Sequence, residues 1–315
     1  MVLEPRTSGA GMGILHREFR DQKGAENGLI PPTQPQGPFA ADGGRGAMIF
    51  LGDSFTNGHG VPTAAAFPQQ VGAILGEESR ILSLGVNGDN TPGELVRLRE
   101  IRPSLTTAPT VVVHQYVGND IDYLTDIQIH PPGGRFLAPA LMALAQVSYL
   151  ADYLYQPYFM AAIGDKPLRD LLAVYGDPRI ATAHRTDLKA IWSEARAAGA
   201  SVIFVVFPFA FDQEFLDLSD QIYVKPLVAF FADTCQHGDG VLDVTELIRS
   251  PPLNGSISGS VVNPVDAHPS RVLHTLVARE IAAFLRGKPS RLRACGEGTP
   301  RAGYDNLGAL PGRSP

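Results

Sequence analysis

Three short stretches carry side chains that could do chemistry together. Ile49-Phe50-Leu51-Gly52-Asp53-Ser54-Phe55 is an apolar run that ends on Gly-Asp-Ser. Such a run reads as a buried strand with a tight exit at Gly52. Ser54 then stands at the strand's carboxyl end, the edge of an open α/β sheet where ligands bind. A serine there is a nucleophile if a base and an oxyanion hole reach it. Alone, the tripeptide reads more simply as a helix cap. Val111-Val112-Val113-His114-Gln115-Tyr116-Val117-Gly118-Asn119-Asp120 is a second β-rich run, broken at Gly118. Asp266-Ala267-His268-Pro269-Ser270 stands just before a long amphipathic segment. Ser54, Asn119 and His268 thus offer a nucleophile, an amide donor and an imidazole base.

That set suits acyl transfer. A carbonyl attacked by serine passes through a tetrahedral oxyanion, and the hydroxyl needs a base to take its proton. A carboxylate on the other imidazole nitrogen fixes the tautomer and stabilises the imidazolium, and Asp266 is near enough in sequence to His268 to do so. Pro269 biases His268 away from helical geometry, which predicts a loop ahead of the last helix. Asn119 can donate to the oxyanion. Between the first two blocks lies Leu84-Gly85-Val86-Asn87-Gly88-Asp89-Asn90-Thr91. Thr91-Pro92-Gly93-Glu94 reads as a helix start with Thr91 as the cap, leaving Gly88 in a loop whose N–H groups are free to bind an anion.

These four blocks, in this order, resemble the SGNH or GDSL-type hydrolases over roughly residues 45 to 287. The resemblance implies a flavodoxin-like three-layer α/β/α sandwich. It also implies Ser54 as nucleophile, His268 as base, and an oxyanion hole from the backbone N–H groups of Ser54 and Gly88 and the Asn119 amide. Gly85 is the other candidate for the second donor; Gly88 fits better because Gly-Asp is followed closely by Thr. The chain departs from the family pattern in two places. Val265 occupies the usual acid position three before the histidine, and Asp266 sits two before it, which resembles a variant Asp-x-His-Pro form. Asp243 is the fallback acid. The first block also ends in Phe55 instead of Leu. No cofactor and no metal are implied.

The elements that must position these residues follow from the punctuation. Strands are expected at 47–51, 81–84, 111–117, 201–207 and 240–244, and helices at 65–76, 92–102, 184–198, 221–236 and 270–287. The alternation predicts an α/β fold with a parallel five-stranded sheet and helices on both faces. Residues 1–46 read as an irregular arm, 47–287 as the hydrolase domain and 288–315 as a disordered tail. Within the domain, 121–183 reads as an aromatic-rich helical insertion, either an added layer or a lid over the serine.

Composition narrows the class. A net charge of -6 without a basic stripe leaves nucleic-acid binding unsupported. The longest apolar run, 202–211, is too short for a membrane span and contains Pro208. No signal peptide is readable, so a soluble, cytoplasmic protein is expected, with export after loss of a leader left open. Cys235 and Cys295 show no metal spacing and no disulfide framework; Cys235 reads as a small core residue and Cys295 as part of a polar tail. His114 reads as a satisfied core residue, His59, just after the nucleophile turn, as an exposed loop residue or else as a lining of the pocket, and Asp53 and Asp120 as residues that hold turns. Gly-x-Ser-x-Gly and phosphate-loop motifs are missing. The expected function is a serine esterase acting on a small-molecule ester through an acyl-enzyme. The alternatives are an O-acyltransferase with the same triad and a non-catalytic binding module on the same scaffold. The oligomeric state is not legible.

Overall fold

The computed structural model describes residues 46–105, 107–118, 120–121, 174–263 and 266–295. The arm through residue 45, Asn119, residues 122–173 of the expected insertion, Val265 and the tail beyond 295 lie outside these.

Strand β1 (Met48–Leu51) leads into the short helix α1 (Ser54–Asn57) and then α2 (Phe67–Leu75). β2 (Ile81–Ser83), α3 (Thr91–Ile101) and β3 (Val111–Tyr116) follow. Then come α4 (Pro178–Ala197), β4 (Ser201–Val206), α5 (Gln213–Ser219), α6 (Lys225–Thr234) and β5 (Gly240–Asp243). α7 (Val244–Arg249), α8 (Ile257–Ser260), the paired strands β6 (Val261–Asn263) and β7 (Asp266–Pro269), α9 (Arg271–Leu285) and β8 (Arg293–Ala294) complete the chain.

The sheet order is β2-β1-β3-β4-β5-β8, with the first five strands parallel. Its strands alternate between two cores. Ile49, Leu51, Val112, Tyr116, Val202 and Phe204 face one side, where Leu98 of α3, Leu188 of α4 and Phe231 of α6 cover them. Met48, Phe50, Val111, Val113, Ile203 and Val205 face the other, under Phe67 of α2 and Val277 and Ile281 of α9. Strands buried on both faces must be apolar at every position, which is why they read as continuous runs. The expected three-layer sandwich is what forms, and the reversal of strand order around β1 puts the carboxyl ends of β1, β2 and β3 at the topological switch.

Four expectations need correcting. The sheet has a sixth strand, because β8 pairs antiparallel with β5. Residues 288–295 are therefore not all irregular tail. Cys235 and Cys295 form a disulfide, with Cα atoms 5.7 Å apart; the two are 60 residues apart in sequence, and only the return of the chain along β5 brings them together. α4 begins at Pro178, six residues before the expected 184, because Asp177 caps Arg179 N–H and Pro178 suits a first turn. The expected helix at 221–236 is split: residues Asp220–Val224 form a π-helical turn ahead of Pro226, whose missing N–H prevents a regular α-helical bond there. Among the described residues, no helix is long and apolar enough to cross a membrane.

Candidate active site

Ser54 owes its position to the turn that leaves β1. At Gly52, φ is +153°, and a Cβ there would lie 2.2 Å from Thr56 Oγ1 and 2.3 Å from Gln115 Oε1. Only glycine fits. Asp53 then caps α1, its Oδ1 accepting from the Phe55 N–H at 2.9 Å. Gln115, on β3, accepts from the Asp53 N–H at 3.2 Å and from the Thr56 hydroxyl at 3.0 Å. The turn is thereby fixed to the neighbouring strand, and Ser54 is the first residue of α1.

His268 reaches this serine from the far end of the sequence. Its Nε2 lies 2.8 Å from Ser54 Oγ. Its Nδ1 meets Asp266 Oδ1, and its backbone N–H donates to the same oxygen at 3.0 Å. The segment is not the expected loop. β7, which carries both residues, pairs antiparallel with β6, and the Ser270 hydroxyl caps α9 by accepting from the Leu273 N–H at 3.2 Å. Burial pushes the Asp266 carboxyl up, but the hydrogen bonds and charge of His268 outweigh it and hold Asp266 below the usual carboxylate range. Asp243, the fallback acid, ends β5. It caps α7, accepting from the Thr245 N–H at 2.9 Å. Ser54 Oγ has a second acceptor, Asp53 Oδ2 at 3.1 Å.

The second block sits beside this pair. The Val86 N–H donates to Gly52 O at 3.1 Å, tying the glycine turn to the β1 exit. Of the two candidate glycines, Gly85 is packed against α1, where a Cβ would lie 2.5 Å from Asn57 N. Gly88 is exposed at φ +76°, with open space around it. The cap of α3 is Asn90, accepting from the Gly93 N–H at 3.0 Å. The expectation that Thr91 is the cap is corrected: it is the first helical residue, and its backbone N–H and hydroxyl both donate to Asp120 O at 3.1 Å. Asn119 lies outside the described residues. Its neighbours Gly118 and Asp120 are buried, and Asp120 Oδ2 accepts from the Val117 N–H at 2.7 Å. Asp53 and Asp120 thus bond loop backbone, as expected for residues that hold turns.

The shift of the α3 cap turns Glu94 inward. Its Oε2 lies 2.6 Å from His114 Nε2 with both side chains fully buried. Burial raises the Glu94 carboxyl against the opposing pull of His114. Burial, then the charges of Asp53 and Glu94, raises Asp120 well above the ordinary range. His184, behind Thr91 Oγ1 at 3.3 Å, is pushed down to about 3 by burial.

Of the two positions the sequence left open for His59, the structure shows the one beside the candidate site. The His59 ring centroid lies 4.4 Å from that of His268 and its Nδ1 lies 3.5 Å from Asn87 Nδ2. The signal was present in Asn57-Gly58-His59-Gly60: Gly58 ends α1 in a left-handed conformation and folds the chain back over the serine.

The model of the GDSL-like lipase/acylhydrolase family matches residues 50–275. No individually curated protein matches the sequence. Similar solved structures include TesA, 16% identical over 76% of this chain and 98% of that one, with a TM-score of 0.44. The psychrotrophic esterase EstA from Pseudoalteromonas sp. is 13% identical over 76% and 97%, with a TM-score of 0.42. A member of the lipolytic G-D-S-L family from Veillonella parvula is 16% identical over 76% and 96%, with a TM-score of 0.40. The matched span runs from β1 into α9 and takes in all four blocks; on that match, the chain belongs to the GDSL-like lipase/acylhydrolase family.

Proposed function

We propose that the protein hydrolyses carboxylic esters through an acyl-enzyme on Ser54. One observation carries the reading: the hydrogen-bonded run from Ser54 Oγ through both nitrogens of His268 to Asp266. Ser54 Oγ attacks the carbonyl while its proton passes to His268 Nε2. The Nδ1–H of the imidazolium is held by Asp266, whose lowered acidity range keeps it ionised to receive that bond. The oxyanion is stabilised by the N–H groups of Ser54 and Gly88 and by the Asn119 amide. His268 then protonates the leaving alcohol. In the second half, water gives its proton to the same nitrogen and releases the acid. The substrate is a small ester, and no cofactor takes part.

The test is turnover of p-nitrophenyl esters of increasing acyl length, with Ser54→Ala as the inactive control. A fluorophosphonate probe should add once, at Ser54, by intact mass and peptide mapping. Asp266→Asn should lower kcat by on the order of 10²–10⁴, as loss of the orienting carboxylate does in such triads. Asp243→Asn should change kcat little. Full activity in Ser54→Ala, or a larger defect in the Asp243 variant, would overturn these assignments.

The disulfide bears on where the protein works. Disulfides persist in oxidising compartments and are rare in the cytosol. The Cys235–Cys295 bridge favours an exported protein over the cytoplasmic expectation. Mass analysis of the protein isolated from its native cell under thiol trapping tests this.

A further inference from the structure

We propose that His59, Asp266 and His268 form a site for a borderline divalent transition-metal ion, such as Zn²⁺, and that its occupation withdraws His268 from Ser54. One ligand atom from each residue can be chosen so that all three lie within 4.8 Å of one another. Two imidazoles and a carboxylate are the donor set that suits Zn²⁺ and Cu²⁺; Mg²⁺ and Ca²⁺ want oxygen ligands throughout. The three residues are half-buried, so an ion can reach them from solvent and a water can complete the tetrahedron.

The physical argument lies in what the ion displaces. His268 Nδ1 and Asp266 Oδ1 are now joined by a proton. An ion with bonds of about 2.0–2.1 Å needs its ligands at roughly 3.4 Å from one another. It therefore takes the place of that proton and opens the contact. The proton on Nδ1 passes by way of solvent to Nε2, so the neutral ring offers its Nδ1 lone pair to the ion beside an Asp266 oxygen, and His59 supplies the third ligand from its ring nitrogen. No net proton is released from the neutral His268–Asp266 pair, but Nε2 now carries a proton and no longer accepts from the Ser54 hydroxyl. The imidazole moves with the ion, and the 2.8 Å contact with Ser54 Oγ is lost. Acid works against binding by holding the ligands protonated.

Metal binding and its consequence for catalysis are measured separately, because only the second rests on the proposed esterase reading. Isothermal titration of Zn²⁺ into the metal-free Ser54→Ala full chain should show one site with a dissociation constant in the micromolar range. His59→Phe in that background keeps an aromatic ring against His268 and removes the ligand. It should weaken the site at least tenfold, and His59→Gln should do the same. Mg²⁺ should not compete at a thousandfold excess. In the chain with Ser54 intact, micromolar Zn²⁺ should suppress ester hydrolysis and EDTA should restore it. In His59→Phe, measured against its own metal-free rate, the inhibiting concentration should rise at least tenfold. Unchanged affinity in both His59 variants, or no binding to Ser54→Ala, overturns the site. Binding without inhibition overturns the withdrawal of His268. A protein that hydrolyses no ester but still binds Zn²⁺ through His59 overturns the esterase reading and leaves the metal site standing.

Discussion

Glu94 Oε2 lies 2.6 Å from His114 Nε2, and neither side chain is exposed to water. The pair joins α3, which follows the Gly88 turn, to β3, which leads to Asn119. It is a clamp between two of the three blocks that build the candidate oxyanion hole. Removing one partner of a buried pair leaves the other without compensation and costs about 3–5 kcal/mol. Glu94→Ala should therefore lower the urea midpoint substantially. Glu94→Gln, which still offers an oxygen to the ring, should cost less. Equal destabilisation by the two variants would show that packing, not the bond to His114, holds α3 in place.

Asp120 supplies a pH signature. Its folded acidity range is raised by burial and by the charges of Asp53 and Glu94, so the folded state binds its proton more tightly than the unfolded chain does. The resulting stability is complete below the unfolded value of about 4 and is lost as pH rises through the raised folded value. Asp266 runs the other way: its lowered range gives stability that is lost as pH falls through the folded value. Asp120→Asn keeps an oxygen for the Val117 N–H and removes the charge. As pH rises from 5 to 8 the variant should lose less stability than the parent, read as a smaller fall in Tm. Parallel pH curves for the two proteins would refute the raised acidity range.

The same cluster shows what the sequence could and could not convey. The strands were legible because burial on both faces forces uninterrupted apolar runs, as in Met48–Leu51 and Val111–Val113. Ser54 and His268 were legible because their neighbours, Gly52 and Pro269, restrict the backbone around them. The pairing of Glu94 with His114 was not legible. Thr91-Pro92-Gly93-Glu94 matches a capping box, and moving the cap by one residue to Asn90 turns Glu94 from a solvent-facing cap into a buried acid. The place of His59 was left open between loop and pocket for a similar reason, since its approach to His268 depends on the left-handed return at Gly58. The disulfide joins residues 60 positions apart through a two-residue edge strand too short to carry a pattern.

That disulfide should matter for stability. Closing a loop of 60 residues restricts the unfolded chain by about 4 kcal/mol in the chain-entropy treatment. Cys295 also anchors β8: its N–H donates to Asp239 O at 3.0 Å. Cys235→Ser with Cys295→Ser should lower Tm by several degrees and leave the kinetics of ester hydrolysis unchanged, since neither residue belongs to the candidate site. A double variant as stable as the parent would mean that the edge strand holds without its crosslink.

The last prediction concerns Thr91, which donates its backbone N–H and its hydroxyl to Asp120 O, next to Asn119. This double bond makes Thr91 a positioning residue: it holds the chain on one side of Asn119 to the start of α3, and so to the Gly88 turn. If Asn119 donates to the oxyanion, Asn119→Ala should lower kcat by about 10²–10³ and move KM little, because the charge it meets exists only in the transition state. Thr91→Val keeps the shape and the backbone bond but deletes the hydroxyl, at a stability cost of about 1 kcal/mol. Its kcat should fall severalfold with KM unchanged, and Thr91→Ser, which restores the hydroxyl, should recover most of the loss. In the Asn119→Ala background, Thr91→Val should have little further effect on kcat, since the donor it positions is already gone. Additive losses in the double variant would place Thr91 outside the oxyanion machinery, and a defect confined to KM would put Asn119 in the wall of the substrate pocket.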